Sequence, residues 1–432
     1  MFIYLMIGII IYLLFIFYPF LSEKNRTKGN VMKLTKQLII LICFLVAIFM
    51  FHIDIVIAII LFVIMFIIFD KRTYTKKRLI IYSSIIVVLF VVSYFILKED
   101  DEYITKYIKE HPFSTSLYVA YNGEPIITYH SDIVRPLAST VKIMVALEYA
   151  NQVAASKIDH QSLVSLEDLN KYYYENTDGG AHEQWLDEME EQNEIQDGKV
   201  SLHQVAKGMI MYSSNANTDY LIDFLGIEQI NKTIEKLQLQ KHDPVYPIVS
   251  SLLISSYLKE DDWSEEQLLE QIKGLSNKEY KQITMEIHDE LTQGNKIPLT
   301  EISMDIQKVW SDRLIGSTAE DYGVLLAKIS NNQFPVEVND VMRDLLEWPM
   351  EYNEGNKNVY HHIGMKGGST AFILNQAAYI ETIQGDKIEF VLLTDDLSSW
   401  EAFRIGKNLN AYLVKMVGEK EFREHVQQVL IE

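Results

Sequence analysis

The segment Ser139-Thr140-Val141-Lys142 (S-T-V-K) decides the fold of this 432-residue chain. An apolar run over residues 141–150 follows it and predicts a buried helix that starts at the motif. Residues i and i+3 share one face of a helix, so the Lys142 amine can approach the Ser139 hydroxyl. A serine hydroxyl is a weak nucleophile unless a base lies beside it. A lysine can be that base only when burial or a nearby cation lowers its pKa.

Two further polar segments stand at positions where a cleft could form. Ser213-Ser214-Asn215 separates two helices that the pattern predicts within residues 200–224. A short polar turn of this kind can point its side chains into a cleft. Lys366-Gly367-Gly368 begins a predicted strand, and glycines in a strand let a ligand backbone approach closely. Ser369 and Thr370 extend this polar edge.

Strands are predicted at both ends of the region that carries these segments. Residues 116–130 form a predicted hairpin, because Asn122-Gly123 is a strong turn dipeptide between apolar runs. Residues 371–383 and 387–394 predict two more strands, and residues 400–417 predict a final amphipathic helix. Helical patterns fill the sequence between these ends. The predicted fold class is therefore α+β, with one antiparallel sheet flanked by helices.

Residues 1–97 have the composition of an all-α membrane anchor. They contain ten of the 39 Lys and Arg residues but only three of the 59 Asp and Glu residues. Apolar runs cover residues 1–21, 38–69 and 79–97. The middle run would form a helix of about 48 Å, too long for a hydrocarbon core of about 30 Å, and His52 and Asp54 interrupt it. We therefore predict four transmembrane helices, of which the middle two form a short hairpin.

Clusters of basic residues set the orientation of this anchor. The clusters at residues 24–36 and 71–78 both belong on the cytoplasmic side of a membrane. Four spans place both clusters inside and both termini outside, whereas three spans would leave one cluster outside. A re-entrant pair within residues 38–69 would give the last span the same orientation. We thus predict a multi-pass protein of the cell membrane, in contact with the lipid bilayer. Residues 98–112 would be a juxtamembrane linker and residues 113–432 an extracytoplasmic domain.

Charge and cysteine usage exclude several classes of function. Residues 98–432 carry 56 acidic against 29 basic residues, so a general positive field that would bind nucleic acid is absent from the sequence. The single cysteine, Cys43, excludes a disulfide framework and a multi-cysteine metal site. His182, His361 and His362 occur without an H-E-x-x-H motif. We therefore predict no metal and no cofactor.

The three polar segments resemble, in their order S-x-x-K, S-x-N and K-[TSG]-G, the signature of class A β-lactamases and penicillin-binding proteins. The resemblance covers residues 116–430 and implies a serine hydrolase that transfers acyl groups through a Ser139 ester. It implies that Lys142 takes the Ser139 proton and that Ser213 relays a proton to the leaving nitrogen. It also implies an oxyanion hole formed by the backbone N–H groups of Ser139 and Ser369. The implied substrate-binding residues are Asn215, Lys366, Gly367, Gly368, Ser369 and Thr370.

The sequence departs from the family pattern in two ways. Ser214 and Gly367 stand where the family has S-D-N and K-T-G, and neither change removes a reacting group. The larger departure concerns hydrolysis of the ester, because class A β-lactamases carry E-x-x-x-N a few tens of residues after S-D-N. Residues 241–250 contain no glutamate. His242 or Asp243 could replace it, but a structural loop shaped by its prolines is the favoured interpretation.

These features favour a slowly deacylating enzyme over an efficient β-lactamase. Its substrate would be a β-lactam or a D-alanyl peptide of the cell wall, or it would be an esterase. A β-lactam sensor is an alternative, since four spans before an outer penicillin-binding domain resemble the antibiotic-responsive sensor-transducers. An inactive binding module is disfavoured because the key serines and lysines are intact. Residues 177–182 fit a substrate-side loop or an ordinary turn equally well. Residues 250–315 could shape the cleft or bind a partner.

Overall fold

The computed structural model describes residues 98–239, 241–300 and 302–431. The predicted membrane anchor, residues 1–97, lies outside the described residues, so the four-span topology stays a prediction. Within the described part of the chain, no helix has both the length and the apolarity that a bilayer crossing requires.

A five-stranded antiparallel sheet forms the centre of the domain, with the strand order β2-β1-β9-β8-β7. The predicted hairpin is β1 and β2, and its turn residues Asn122 and Gly123 both have positive φ, as a two-residue type I′ turn requires. The short remaining strands pair as β3 with β6 and β4 with β5. The strands are β1 Thr115–Tyr121, β2 Glu124–Tyr129, β3 Arg135–Pro136, β4 Leu163–Ser165, β5 Lys199–Ser201, β6 Gly316–Ser317, β7 Tyr360–Ser369, β8 Leu374–Thr382 and β9 Lys387–Thr394.

Helices occupy most of the chain between the strands and follow the last strand. The helices are α1 Tyr103–Glu110, α2 Lys142–Ala154, α3 Leu166–Asn170, α4 Ala181–Glu191, α5 Leu202–Lys207, α6 Asn215–Leu225, α7 Ile227–Lys236, α8 Ile248–Leu252, α9 Ile254–Leu258, α10 Glu265–Gly274, α11 Asn277–Thr292, α12 Met304–Asp312, α13 Ala319–Ser330, α14 Val336–Leu346, α15 Trp348–Tyr352, α16 Ser399–Gly418 and α17 Lys420–Ile431. Residues Ala138–Val141 and Glu354–Asn358 form 3₁₀ turns, and Gly208–Tyr212 forms a π-helical turn.

The two faces of the sheet pack against different helices. Side chains alternate along a strand, so Leu117 and Val119 of β1 face one side while Tyr118 and Ala120 face the other. The first face packs against the terminal helices α1, α16 and α17. The second face packs against α2, α13 and the helices around them. This arrangement confirms the predicted α+β fold with an antiparallel sheet flanked by helices.

Helix α1 lies within residues 98–112, the stretch that the sequence predicts as a linker. Its Ile104, Tyr107 and Ile108 are buried in the core with α16 and α17. These apolar residues recur at helical spacing among charged neighbours, which raise the polarity of the stretch without interrupting the buried face. The segment therefore belongs to the folded domain.

Residues 248–300 and 302–314 contain the five helices α8 to α12, and this segment is called the insertion below. The insertion has its own core, in which Leu253, Leu268, Ile287 and Leu291 are buried together. Tyr172 and Tyr174, from the loop that precedes α4, pack into the same core. The insertion thus has a fixed structure and joins the domain beside that loop.

Candidate active site

Ser139 lies in the 3₁₀ turn that leads directly into helix α2. Ala138, just before it, has φ 47°, a strained conformation for a residue with a side chain. Strand β7 passes close to this turn at Gly368. A Cβ atom added to Gly368 would lie only 2.5 Å from the Leu137 carbonyl oxygen. Gly368 is thus required for packing of the chain against its own turn.

Lys142 is fully buried at the first position of α2. Its amine donates hydrogen bonds to the Ser213 carbonyl oxygen at 2.7 Å and to Asn215 Oδ1 at 2.8 Å. A third contact, at 3.3 Å, reaches Ser213 Oγ. The amine therefore joins the serine turn of α2 to the turn that contains the second motif.

Ser213 follows the π-helical turn and has φ 72°, in the left-handed region that residues with side chains rarely adopt. Its Oγ accepts a hydrogen bond of 2.9 Å from the Lys366 amine. Ser213 Oγ thus lies between two lysine amines, those of Lys142 and Lys366. Strained backbone and π turns are common at functional sites, where they fix a side chain in one direction.

Lys366 lies near the end of β7, which extends from Tyr360 to Ser369. The prediction that this motif begins a strand was wrong. The strand starts earlier because Tyr360 and the residues after it pair with β8 across the sheet, from the Tyr360–Thr382 pair onward. Lys366 is 4% exposed, and its amine also donates to the Gly367 carbonyl oxygen at 2.9 Å.

Burial controls the charge of both amines. Burial lowers the pKa of Lys142 well below its ordinary value of 10.5, and the nearby Lys366 lowers it further. The carboxylates of Asp178 and Asp219 oppose this shift in the pKa of Lys142. Burial lowers the pKa of Lys366 to about 7. A neutral Lys142 amine can accept a proton, which is the property that a base beside a serine needs.

Two links attach the turn of Ser213 to the start of helix α4. The Asp178 carboxylate accepts hydrogen bonds from the backbone N–H of Asn215 at 3.2 Å and of Ala181 at 3.1 Å. The buried His182 ring hydrogen-bonds to Ser214 Oγ at 2.9 Å. Ser214 Oγ also accepts the backbone N–H of Asn217 and caps α6. Ser214, which replaces the aspartate of the family pattern, therefore has a structural role here.

The site opens into a cleft of about 580 Å³. The predicted residues that line it are Ser139, Ser213, Asn215, Ser369 and Thr370. Lys142 and Lys366 lie behind this lining and reach it through their contacts with Ser213. Gly367 and Gly368 lie on β7 beside Lys366. The structure thus brings all nine predicted site residues into one region.

Other lining residues were only partly indicated by the sequence. Residues 175–179 line the cleft, which favours the substrate-side interpretation of the loop at residues 177–182. The two links made by Asp178 and His182 are tertiary contacts, and no spacing along the chain identifies them. The insertion adds eight lining residues: Ile248, Leu252, Leu299, Thr300, Ile302, Gln307, Trp310 and Leu314.

Residues 241–250, where the family resemblance implies the glutamate loop of class A β-lactamases, contribute the apolar Ile248 to the cleft. His242 bonds instead to the Tyr322 hydroxyl and the Asp243 carbonyl, and Asp243 accepts the N–H of Gly316. This agrees with the favoured interpretation of a structural loop. Among the described residues, the carboxyl groups that line the cleft are those of Glu175 and Asp178, on the opposite loop.

The residues with metal-binding side chains are engaged elsewhere. His182 bonds to Ser214, while His362 lies against Glu347 and Arg343. Within the described ranges, Asp312, Asp395 and Asp396 are close enough to share an ion. The Lys308 amine already contacts Asp312 and Asp396, and so it balances their charge.

Comparisons with known proteins show which family model this chain matches and which solved structures it is similar to. The sequence model of a family described as "Beta-lactamase enzyme family" matches residues 101–413. No curated protein sequence matches the chain. A class A β-lactamase structure from Bacteroides cellulosilyticus is similar, with 17% identity, 77% of this chain and 99% of that chain covered, and a TM-score of 0.45. The structure of a β-lactamase from Sphaerobacter thermophilus has 15% identity and a TM-score of 0.47, and the match covers 73% of this chain and 96% of that chain. A mutant of PBP-A, solved as an acyl-enzyme complex with penicillin G, has 15% identity and a TM-score of 0.44, and the match covers 73% of this chain and 95% of that chain.

Proposed function

We propose, from the premise that this chain belongs to the beta-lactamase enzyme family, that it acylates Ser139 with β-lactams or D-alanyl cell-wall peptides and releases the acyl group slowly. Membership makes the protein a serine hydrolase. The finer assignment adds a membrane anchor in residues 1–97, with the catalytic domain outside the cytoplasm. The apolar runs and basic clusters of that segment support this location.

The position of Ser213 Oγ between two buried amines carries the proposal. Lys142 takes the proton of the Ser139 hydroxyl, and the Ser139 oxygen attacks the acyl carbon. The Lys142 contact with Ser213 at 3.3 Å offers a path for that proton to the leaving nitrogen. The N–H groups of Ser139 and Ser369 bind the oxyanion, a term usually worth about 3 kcal/mol.

Lys366 has a second role in this scheme. Its amine donates to Ser213 Oγ, and Lys366 belongs to the same strand end as Ser369, which would bind the carboxylate of the substrate together with Thr370. Burial lowers the pKa of Lys366 to about 7, so Lys366 changes its charge around neutral pH. Its positive field attracts the substrate carboxylate and keeps the pKa of Lys142 low. Asn215, held by Lys142 at 2.8 Å, would align the substrate's amide.

Slow release of the acyl group follows from the side of the cleft that contains Ile248. Hydrolysis of the Ser139 ester needs a base that activates a water molecule. Residues 241–250, which the resemblance matches to the loop that carries this base in class A β-lactamases, contribute Ile248 to the cleft and no glutamate. A persistent acyl-enzyme suits a penicillin-binding protein, an esterase or a β-lactam sensor. For a sensor, the signal would have to leave the domain by a route other than an H-E-x-x-H protease, since the sequence lacks that motif.

Labelling with a fluorescent penicillin tests this assignment. The purified full-length chain should form a covalent adduct with the mass of the intact penicillin, and tryptic mapping should locate it on Ser139. Ser139→Ala should abolish labelling, while Ser162→Ala, an exposed serine outside the cleft, should label normally. Labelling that persists in Ser139→Ala would overturn the assignment of the nucleophile.

A further inference from the structure

The helical insertion forms one wall of the cleft, and this wall is mostly apolar. Six of its eight lining residues are apolar, namely Ile248, Leu252, Leu299, Ile302, Trp310 and Leu314. The polar remainder is Thr300 and Gln307. Ser369 and Thr370 line the same cleft, and Thr370 contacts Ser311 of the insertion. The cleft therefore combines polar residues near the buried Lys366 with an apolar wall.

Hydrogen bonds hold the wall in place on both sides of the reactive serine. The buried Asp219 carboxylate accepts the backbone N–H groups of Ile248 at 2.7 Å and Val249 at 2.9 Å. Asp219 belongs to helix α6, which begins at Asn215. At the other side, Ser311 hydrogen-bonds to the Thr370 hydroxyl at 2.6 Å. The wall is thus preformed and keeps a fixed distance from the acylation site, so a ligand does not have to order it.

Part of this wall remains in contact with water when the cleft is empty. Leu299 is 39% exposed, and Ile302 and Trp310 are half-buried. Trp310 directs its Nε1–H to Ser251 Oγ at 3.0 Å, so its polar atom is already satisfied within the insertion. Burying such apolar surface under a ligand is favourable in proportion to the area covered. An apolar group that lies against the wall gains this energy, and a polar one does not.

We propose that the insertion selects acyl donors that carry a large apolar group, aromatic or long alkyl, on the acyl side of the reacting carbonyl. The proposal rests on acylation of Ser139 as described above. Ser139 Oγ forms an ester bond to the acyl carbon, and the bond from that carbon to nitrogen or oxygen breaks. The leaving group takes the serine proton, so the step is balanced without another reactant. The apolar substituent stays with the ester, against the wall.

Two matched pairs of probes test the selection in the full-length chain. Benzylpenicillin carries an aromatic acyl group that 6-aminopenicillanic acid lacks. p-Nitrophenyl octanoate carries a longer alkyl chain than p-nitrophenyl acetate. In each pair, the apolar member should acylate Ser139 at least about tenfold faster at limiting concentration, because contacts in an apolar pocket usually change the rate by that factor. Equal rates within both pairs would overturn the proposal.

Variants locate the selection on the wall. Leu299→Ser should reduce the preference in both pairs several-fold, by slowing the apolar probes more than the small ones, whereas Leu299→Met should keep the preference. Met304→Ser is the matched control, because Met304 is 51% exposed on the same insertion but does not line the cleft. An unchanged preference in Leu299→Ser, with the thermal midpoint also unchanged, would contradict the proposed wall.

The two pairs separate this proposal from the proposed function. Chain-length preference with the esters, without any reaction of the penicillins, would support the wall and overturn the β-lactam substrate. Acylation by both penicillins at the same rate, with equal ester rates, would support the function and overturn the wall. Failure of all four probes to react would overturn both.

Discussion

The two sides of the cleft differ in what they offer the substrate. One side holds Ser139 and, beside it, Ser213 with two buried lysines that hydrogen-bond to Ser213 at 2.7 to 3.3 Å. The other side, from the insertion, presents Ile248, Leu252 and their apolar neighbours. Under the proposed function, the first side forms the ester, whereas the residues of the second side include no carboxylate that could activate water. Ester formation and ester hydrolysis would then depend on separate elements of the fold.

The largest expected effect comes from removal of the buried base. Lys142→Met should reduce the acylation rate about 10³-fold, within the range that a positioned base contributes. The variant should also melt at a higher temperature near neutral pH. The folded pKa of Lys142 lies below its ordinary 10.5, so the unfolded chain binds the proton more tightly and this group destabilises the fold there.

Stopped-flow acylation and thermal melts of the same preparations check both effects. Lys207→Met is the matched control, because Lys207 pairs with Glu351 outside the cleft. That control should acylate at the original rate. A loss of less than tenfold in Lys142→Met would show that another group takes the serine proton.

A carboxylate placed on the apolar side of the cleft should give that side a group that can activate water. Ile248→Glu introduces an acid where Ile248 lines the cleft, near the carboxylate of Asp219. Repulsion between the two carboxylates raises the pKa of the new one toward neutrality, which suits a general base. Deacylation should become about tenfold faster, less than an evolved base gives, because nothing holds the new side chain in place.

The rate of return of free enzyme after labelling measures this change. Ile248→Gln, which has the same size without the acid, should deacylate as slowly as the original chain. Equal rates for the Glu and Gln variants would mean that the missing carboxylate does not limit hydrolysis.

The pH dependence of acylation should respond to Asp178. The negative charge of Asp178 raises the pKa of Lys142, so Asp178→Asn should lower that pKa. Acylation rises as Lys142 loses its proton, and the acid limb of the acylation profile should therefore move to lower pH. The other charged groups that act on Lys142 are Lys366 and Asp219, and neither is changed.

A pH series of acylation rates with one penicillin measures the shift. Glu175→Gln, on the same loop, is the control and should leave the limb in place. A fall in rate at every pH without any shift would assign Asp178 a purely structural role, through its bond to the Asn215 N–H.

The smallest effect is expected at Ser214. Ser214→Ala removes the cap of α6 and should lower the free energy of unfolding by about 1 kcal/mol. The loss should exceed that of Ser276→Ala, an exposed cap of α11, because the buried His182 also loses its partner. Denaturant melts compare the two variants, and a smaller loss at Ser214 would contradict this account of the turn.

Local signals in the sequence were enough to predict much of the fold and the set of motif residues. Asn122-Gly123 predicted the hairpin because its turn type depends on those two residues alone. The amphipathic pattern of residues 400–417 predicted α16. The motifs predicted residues that the structure brings to one cleft. The order of the motifs along the chain matched a family signature, and this resemblance predicted that their residues meet in one cleft.

Features that depend on distant residues could not be read in the same way. The bonds from Asp178 and His182 to the Ser213 turn join positions more than 30 residues apart. The cleft wall combines Ile248 with Leu299 and Trp310, which no periodic pattern relates. Charged neighbours concealed the buried face of α1. In each case the missing information was which surfaces meet, and packing determines that.

The lifetime of the Ser139 adduct tests the central claim most directly. The full-length chain is labelled with benzylpenicillin, freed of excess ligand, and followed by intact mass at neutral pH. We predict that the adduct persists for hours and that each chain consumes about one penicillin in that time. Loss of the adduct within seconds, with many penicillins hydrolysed per chain, would contradict the claim that this cleft forms the ester but lacks the means to hydrolyse it quickly.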